Sequence, residues 1–344
     1  MRQAQGEKGD HRPDIEHSVH GTLQILIYPL LASVKRFMIA TPPLPVGRLF
    51  IFGLGYTALH LADCLRRIGW SLAGTVRGQD KADALQAQGI DTFLFDRGKP
   101  LADVVTALDG VTHILSSVPP DGDGDAVLDQ HGADIAARAT ALRWAGYLST
   151  TGVYGDAGGG WVDENSPLNA SGPRGKRRVA AEAGWLSLHQ QAGVPVHLFR
   201  LPGIYGPGRS AIDSVRAGTA RRIDKPDQVF CRIHVDDIAG AIIASMAAPR
   251  PGTAYNIVDD QPAPAAQVVE YAAQLLGAEP PPLEPFDPET MSAMAASFYA
   301  DNRRVRNDRL KSWLNYRLIH PTYREGLAAQ RAAETKSIGP VTAG

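Results

Sequence analysis

Four consecutive apolar residues, Leu49-Phe-Ile-Phe52, run directly into Gly53-Leu-Gly55-Tyr-Thr-Ala58, and this junction restricts the fold more than any other segment. A short continuous apolar run is expected of a strand buried on both faces of a parallel sheet. After the glycines, Ala58, Leu61, Leu65 and Ile68 recur at spacings of three and four, with His60, Asp63, Arg66 and Arg67 between them, as in an amphipathic helix. Strand, glycine turn and helix in immediate succession are the context in which Gly-x-Gly reads as a dinucleotide-binding loop. Gly53 permits the tight turn, Gly55 lets the backbone approach a pyrophosphate, and Ala58, in place of a third glycine, still allows close helix–strand packing. Tyr56 and Thr57 open the helix, whose free N–H groups and dipole favour phosphate. The bland alternative is a glycine turn that holds no ligand.

The rest of the chain alternates in the same way. Strands are expected at Ser71–Val76, Thr92–Phe95, Val111–Ser116, Tyr147–Thr150, Val196–Leu201 and Ala254–Val258. Helices are expected at Lys81–Gln88, Ala126–Trp144, Val179–Gln191 and Val235–Met246. Such alternation predicts an α/β fold, a Rossmann-type doubly wound parallel sheet. The expected division is a poorly ordered extension over 1–45, a dinucleotide-binding domain over 46–205, an interleaved C-terminal lobe over 206–335, and a tail over 336–344. Helix 235–246 and strand 254–258 of that lobe return to the sheet. The run Thr41-Pro-Pro-Leu-Pro45 closes the extension, and the expectation is that translation starts at Met38.

Among the 344 residues, 35 Lys+Arg stand against 36 Asp+Glu, a net charge of −1, which argues against a whole-protein grip on nucleic acid or an anionic membrane. The apolar run 23–34 contains Gln24, Pro29 and Ser33 and falls short of the roughly 18–20 residues a membrane span needs. Cys64 and Cys231 belong to no Cys-x-x-Cys or Cys/His cluster, so neither a disulfide scaffold nor a structural zinc is expected, and a reduced cytoplasmic setting is.

The end of the second strand selects the cofactor. An acidic residue there would bind the ribose diol of NAD. This chain has Arg77, 24 residues past Gly53, and a guanidinium suits a 2′-phosphate, so NADP(H) is expected over NAD(H). Asp96 is a candidate for the adenine amino group, or a turn residue. Ser117, after the fourth strand, is a candidate for the cofactor ribose, or the start of a loop.

Four segments together carry a family resemblance: the glycine loop, Tyr147-Leu-Ser-Thr-Thr-Gly-Val-Tyr-Gly155, Arg200-Leu-Pro-Gly-Ile-Tyr-Gly-Pro-Gly-Arg209, and Arg232-Ile-His-Val-Asp-Asp-Ile238. In that order the chain resembles the extended short-chain dehydrogenase/reductases, the NAD-dependent epimerase/dehydratase group. The resemblance implies a Rossmann domain, a smaller substrate lobe, and hydride-transfer chemistry on small metabolites, often nucleotide sugars. It also implies a catalytic Ser or Thr at the end of the fifth strand, here Thr150, followed by Tyr-x-x-x-Lys.

The tyrosine and lysine positions are occupied by Arg174 and Arg178. Arginine stays protonated, so Arg174 cannot serve as the general acid/base, whereas Arg178 can hold the ribose or a substrate anion. The departure resembles an atypical branch of the family. Tyr154 and Tyr205 follow core strands on the ligand-binding side of such sheets and are candidates to face the substrate. Glu164 and His234 are further proton-transfer candidates, His234 with a structural role near a helix start as its alternative. Arg209 and Arg232 are candidates for a substrate phosphate or carboxylate. The cluster Arg174-Gly-Lys-Arg-Arg178 lacks the aromatic interleaving of a nucleic-acid patch and is expected to meet an anionic ligand, with a solvated helix start as the alternative.

The expected function is an atypical NAD(P)-dependent oxidoreductase or epimerase/dehydratase on a small anionic metabolite or nucleotide sugar. The expected partners are that small molecule and at most a second copy of the chain, with no metal, nucleic acid or membrane. The alternative is a non-catalytic NADP(H) sensor or scaffold that lacks the tyrosine.

Overall fold

The computed structural model describes residues 44–337. The expectations for residues 1–43, including the Met38 start, and for the tail beyond 337 lie outside the described residues. Strand β1 (Arg48–Phe52) leads through the glycine turn into helix α1 (Tyr56–Arg66). Then follow β2 (Ser71–Val76), α2 (Gln79–Gln86), β3 (Asp91–Leu94), the single turn α3 (Val104–Ala107), β4 (His113–Ser116), α4 (Ala126–Ala136) and β5 (Trp144–Thr150). Next come β6 (Trp161–Val162), α5 (Pro173–Ala192), β7 (Val196–Leu201), β8 (Gly203–Tyr205), α6 (Ala211–Arg216), β9 (Arg222–Asp224) and β10 (Arg232–His234). The chain continues with α7 (Val235–Ala247), β11 (Thr253–Asn256), α8 (Ala265–Leu276), β12 (Leu283–Pro285), α9 (Ala293–Phe298), β13 (Arg304–Val305), α10 (Asp308–Trp313) and α11 (Tyr323–Ser337).

The seven-stranded sheet has the order β11-β7-β5-β4-β1-β2-β3, and every pairing in it is parallel. From β1 the chain first builds outward through β2 and β3, then returns to β4 on the other side. The strand order therefore reverses between β1 and β4, and ligands bind outside the carboxyl ends of strands at such a switch point. The pleat sorts the opening run between two cores. Leu49 and Ile51 pack on one face with Leu61 and Leu65 of α1 and Ile238 and Ile242 of α7. Phe50 and Phe52 pack on the other with Val127 and Ile135 of α4 and Trp185 of α5. Burial on both faces explains a strand with no polar residue in four.

Two helix boundaries differ from expectation by more than two residues. The helix expected to reach Trp144 ends at Ala136, and Trp144 heads β5. Its indole N–H donates to Ser245 Oγ at 3.0 Å and its ring stacks on His197, so a tertiary pocket overrides the helical spacing. The helix expected from Val179 begins at Pro173, whose missing N–H is no loss in a first turn. The arginine cluster therefore lies on the helix, not ahead of it. No helix among the described residues is long and apolar enough to cross a membrane.

Candidate functional site

The glycine turn is built for close approach. Gly53 has φ +86°, a conformation that a side chain would strain. Thr75 of β2 holds the turn, its hydroxyl accepting from Gly53 N at 2.8 Å and its carbonyl from Leu54 N at 2.8 Å. Ser117 donates its hydroxyl to the Gly53 carbonyl, so it braces the turn from β4. Lys81 of α2 donates to the Leu54 carbonyl at 2.8 Å, placing a cation beside the loop that the sequence reading missed.

Gly55 caps α1 without a side-chain hydrogen bond, and a Cβ placed there would meet nothing within 4 Å. Free helix N–H groups facing an open cradle fit a pyrophosphate. Thr57 is buried in the first turn, and Tyr56 donates its hydroxyl to the Pro207 carbonyl at 3.1 Å, tying the loop to the chain after β8. Arg77 stands exposed just past β2. Asp96 accepts the Gly98 N–H at 2.8 Å, as a turn residue does.

At the end of β5, Thr150 is half-buried and its Oγ1 accepts the Gly152 N–H at 3.1 Å, opening a short helical turn that carries Tyr154. Arg303, just before β13, donates to the Gly155 carbonyl at 2.6 Å and to Asp301 at 2.9 Å. A Cβ on Gly152 would lie 3.5 Å from Thr150 Oγ1 and 4.0 Å from a second Arg303 guanidinium nitrogen. Threonine hydroxyl and guanidinium thus both lie close to Gly152. Arg303 escaped the sequence reading because its partner Gly155 is 148 residues away. The only local signal was the density of arginines around it.

Helix α5 brings the cluster to the same end of the sheet. Arg178 donates to the Leu148 carbonyl and to the Tyr147 hydroxyl at 3.2 Å, and its guanidinium lies 5.6 Å from the Tyr147 ring centroid. Arg174 lies over the Phe298 ring of α9 at 5.6 Å, while Lys176 and Arg177 are exposed. Behind them Glu182 of α5 pairs with Arg200 of β7 inside the protein, the two side chains 2% and 6% exposed.

Tyr154 packs inside the protein, whereas Tyr205, though mostly buried, lines a cavity together with Arg209 and Arg232. Tyr154 donates to Asn256 at 2.7 Å and accepts from Arg200 at 2.9 Å. Tyr205 donates to the Thr322 carbonyl at 3.3 Å. Burial pushes the phenols of Tyr147, Tyr154 and Tyr205 above their ordinary value, away from proton transfer near neutrality. Glu164 accepts the Asn256 N–H at 2.8 Å, and burial raises its carboxyl. His234 accepts the Asp236 N–H at 3.1 Å and so caps α7. Asn256 and Asn307 tie the C-terminal segment to the end of β11 through Arg306, Val258 and Asp260.

A cavity of about 620 Å³ opens between α6, α8 and α11, with Arg209 and Arg232 in its wall. Arg209 also lies over the Tyr56 ring at 5.7 Å, joining the cavity to the glycine loop. Arg232 donates to the carbonyls of Phe230 and Ala263 at 2.8 and 2.9 Å, and its burial disfavours the charged form.

Switch point, glycine turn and open helix terminus define a Rossmann-type dinucleotide-binding protein. The chain belongs to the NAD dependent epimerase/dehydratase family, whose model matches residues 53–258. It is 34% identical over 242 residues to Protein YeeZ of Escherichia coli K12, covering 67% of this chain and 84% of that one. It is 30% identical over 207 residues to a 3-diazoavenalumate denitrifying reductase of a Streptomyces species, covering 57% and 67% of the two chains. A functionally unknown conserved protein from Silicibacter pomeroyi superposes with a TM-score of 0.77 at 49% identity, covering 83% of this chain and 99% of that one. The fold is shared with the dTDP-glucose 4,6-dehydratase of Bacillus anthracis, at a TM-score of 0.66 and 17% identity over 85% of this chain and 97% of that one.

Proposed function

We propose that this protein is an NADP(H)-dependent reductase acting on a carbonyl group of a small anionic metabolite. The observation that carries the reading is the nearness of both the Thr150 hydroxyl and the Arg303 guanidinium to Gly152, with a helix in the same lobe whose first two turns hold four cations. The loop Gly53–Gly55 and the start of α1 hold the cofactor pyrophosphate, and Arg77 meets a 2′-phosphate. A reduced nicotinamide, when bound, supplies the hydride that turns the carbonyl into an alcohol. Thr150 donates a hydrogen bond to the substrate oxygen, and the Arg303 guanidinium offsets the negative charge that grows there. No tyrosine or lysine stands at the usual acid/base positions, so the proton on that oxygen comes from water. That a 30% identical relative is named a reductase supports the direction. Arg174, Lys176 and Arg177 attract the substrate anion, and Arg209 and Arg232 offer a second anchor in the adjoining cavity.

The absent tyrosine also favours a second reading, an NADP(H) sensor without turnover. One experiment separates them. NADPH oxidation is followed with aldehydes and ketones that carry a carboxylate or phosphate. Turnover is expected, reduced roughly 10²-fold in kcat by Thr150→Val, as for loss of one donor to a developing oxyanion. NADPH binding with no turnover on any of them supports the sensor. Failure to bind either NADPH or NADH overturns both.

A further inference from the structure

Where α1 meets the start of α7, three imidazoles surround one carboxylate. Asp236 opens α7. Its Oδ2 lies 3.1 Å from Nε2 of His320 and 3.4 Å from Nδ1 of His234, and the donor atoms of the three residues all fall within 4.8 Å of one another. Its other oxygen, Oδ1, lies 2.7 Å from Nε2 of His60 on α1.

We propose that His234, Asp236 and His320 form a binding site for a divalent transition-metal ion of the Zn2+ type, with His60 supporting the carboxylate from outside. Zinc bonds of 2.0–2.1 Å at tetrahedral angles place neighbouring donor atoms about 3.3 Å apart, and the two oxygen–nitrogen separations bracket that value. Two imidazoles and a carboxylate with an open fourth position suit borderline divalent ions. Nδ1 of His234 accepts the Asp236 N–H at 3.1 Å, so it carries a lone pair and no proton, as a ligand must. A bound ion would take over that lone pair from the amide. Ligating carboxylates are themselves hydrogen-bonded in metal sites, and His60 stands where such a partner would.

The site is also held in advance. The segment carrying His320 is fixed by Asp237, which accepts from Ile319 N at 2.6 Å, His320 N at 3.0 Å and the Tyr316 hydroxyl at 3.0 Å. The His234, Asp236 and His320 side chains are 5%, 15% and 9% exposed, which leaves a narrow approach for an ion and a water. Such an ion would pin the segment before α11 to the start of α7. It would stand next to Tyr205 and Gly206, ahead of the carbonyl that anchors Tyr56.

The test strips the full-length protein with a chelator, dialyses the chelator away, and titrates with Co2+ and then Zn2+. Expected are visible ligand-field bands of tetrahedral Co2+ saturating at a single equivalent, their loss on adding Zn2+, and a rise in Tm with Zn2+. His320→Gln and Asp236→Asn should abolish the bands. His60→Gln, at the rim, should keep the fold and weaken Co2+ binding about 10- to 100-fold, the usual effect of losing an outer-shell partner. If either ligand variant fails to fold by circular dichroism, His60→Gln alone decides. Absent bands with an unchanged Tm, or affinity unaltered in a folded His320→Gln or His60→Gln protein, would overturn the site.

Discussion

Replacing Glu182 by glutamine should cost this protein more than any conservative change on its surface. Glu182 and Arg200 are 2% and 5% exposed. Three contacts join them, from Arg200 Nε at 3.1 and 3.2 Å and from Nη2 at 2.8 Å, and Nη1 turns to the Tyr154 hydroxyl at 2.9 Å. The variant leaves a guanidinium buried without its counter-charge and sets an amide N–H group against its donors. Breaking a buried pair from one side costs about 3–5 kcal/mol. With a urea m-value near the upper end of the usual range, about 3 kcal/mol/M, the unfolding midpoint falls by about 1–2 M at unchanged m. The pair also locks α5 to β7 and, through Tyr154, to the turn that begins at Thr150, so kcat should fall in the protein that remains folded. Replacing both partners, Glu182→Leu with Arg200→Met, should recover much of the lost stability, because the double change leaves no orphaned charge. A midpoint shift in Glu182→Gln of under about 0.3 M would refute the reasoning, since it would mean that Arg200 is solvated or paired elsewhere.

Arg77→Ala should weaken NADPH binding about 10- to 100-fold and leave NADH nearly unchanged, a loss of about 1.5–3 kcal/mol for a hydrogen bond to a charged group; equal effects on both cofactors in a fluorescence titration would remove Arg77 from the 2′-phosphate. Burial holds the His113 and His197 imidazoles down to about 4, against an ordinary 6.5. The unfolded chain takes up those protons first, so their contribution is intact above about pH 6.5 and is lost as pH falls towards 4, by up to about 3 kcal/mol for each group. His197 accepts the Arg250 N–H at 2.9 Å and faces the Ala145 carbonyl at 3.2 Å, a pair of contacts that glutamine can mimic. Urea titrations between pH 7 and 4 should therefore show a shallower acid loss in His197→Gln, and an identical slope would discount that histidine. Gly155→Ala should destabilise by about 2–5 kcal/mol from strain plus overpacking. Gly155 has φ +68°, and its new Cβ would fall 1.9 Å from the Asn169 carbonyl oxygen, so an unchanged Tm would contradict the packing of this turn.

What could be read along the chain was what neighbours in sequence determine. Leu49 to Phe52 sit between two cores, and that double burial is written in their composition. The Gly53 turn follows from local backbone freedom. Helical spacing runs on to Trp144 because periodicity does not see Ser245 or His197 across the sheet. The packing of Tyr154 was hidden for the same reason, since its position after a core strand suggested exposure to a ligand while Asn256, 102 residues away, draws it inside. Arg303 is the converse, a residue with no local motif that the fold carries to Gly155, in the turn after Thr150. Side chains whose partners are distant have environments set by topology, and topology was legible only as a class.

The arginine cluster joins these levels, because its placement breaks a local rule. Helix α5 starts at Pro173 with no acidic residue in its first turn, so Arg174, Lys176, Arg177 and Arg178 crowd the positive end of a 20-residue dipole. Cations at a helix N-terminus are unfavourable by about 0.3–1 kcal/mol each, and no ion pair engages Arg174, Lys176 or Arg177 among the described residues. Local rules are typically broken where function requires it. If the charge is there for an anionic substrate, Arg174→Glu should trade one property for the other. Removing a positive charge and adding a negative one gains about 0.6–2 kcal/mol from the dipole, and losing the stacking on Phe298 returns about 0.5 kcal/mol. The variant should unfold at slightly higher urea while KM for an anionic substrate rises and kcat changes little, because Thr150 and Arg303 are untouched. A variant that is less stable than the parent would show that the dipole argument fails, and an unchanged KM would detach the cluster from the substrate.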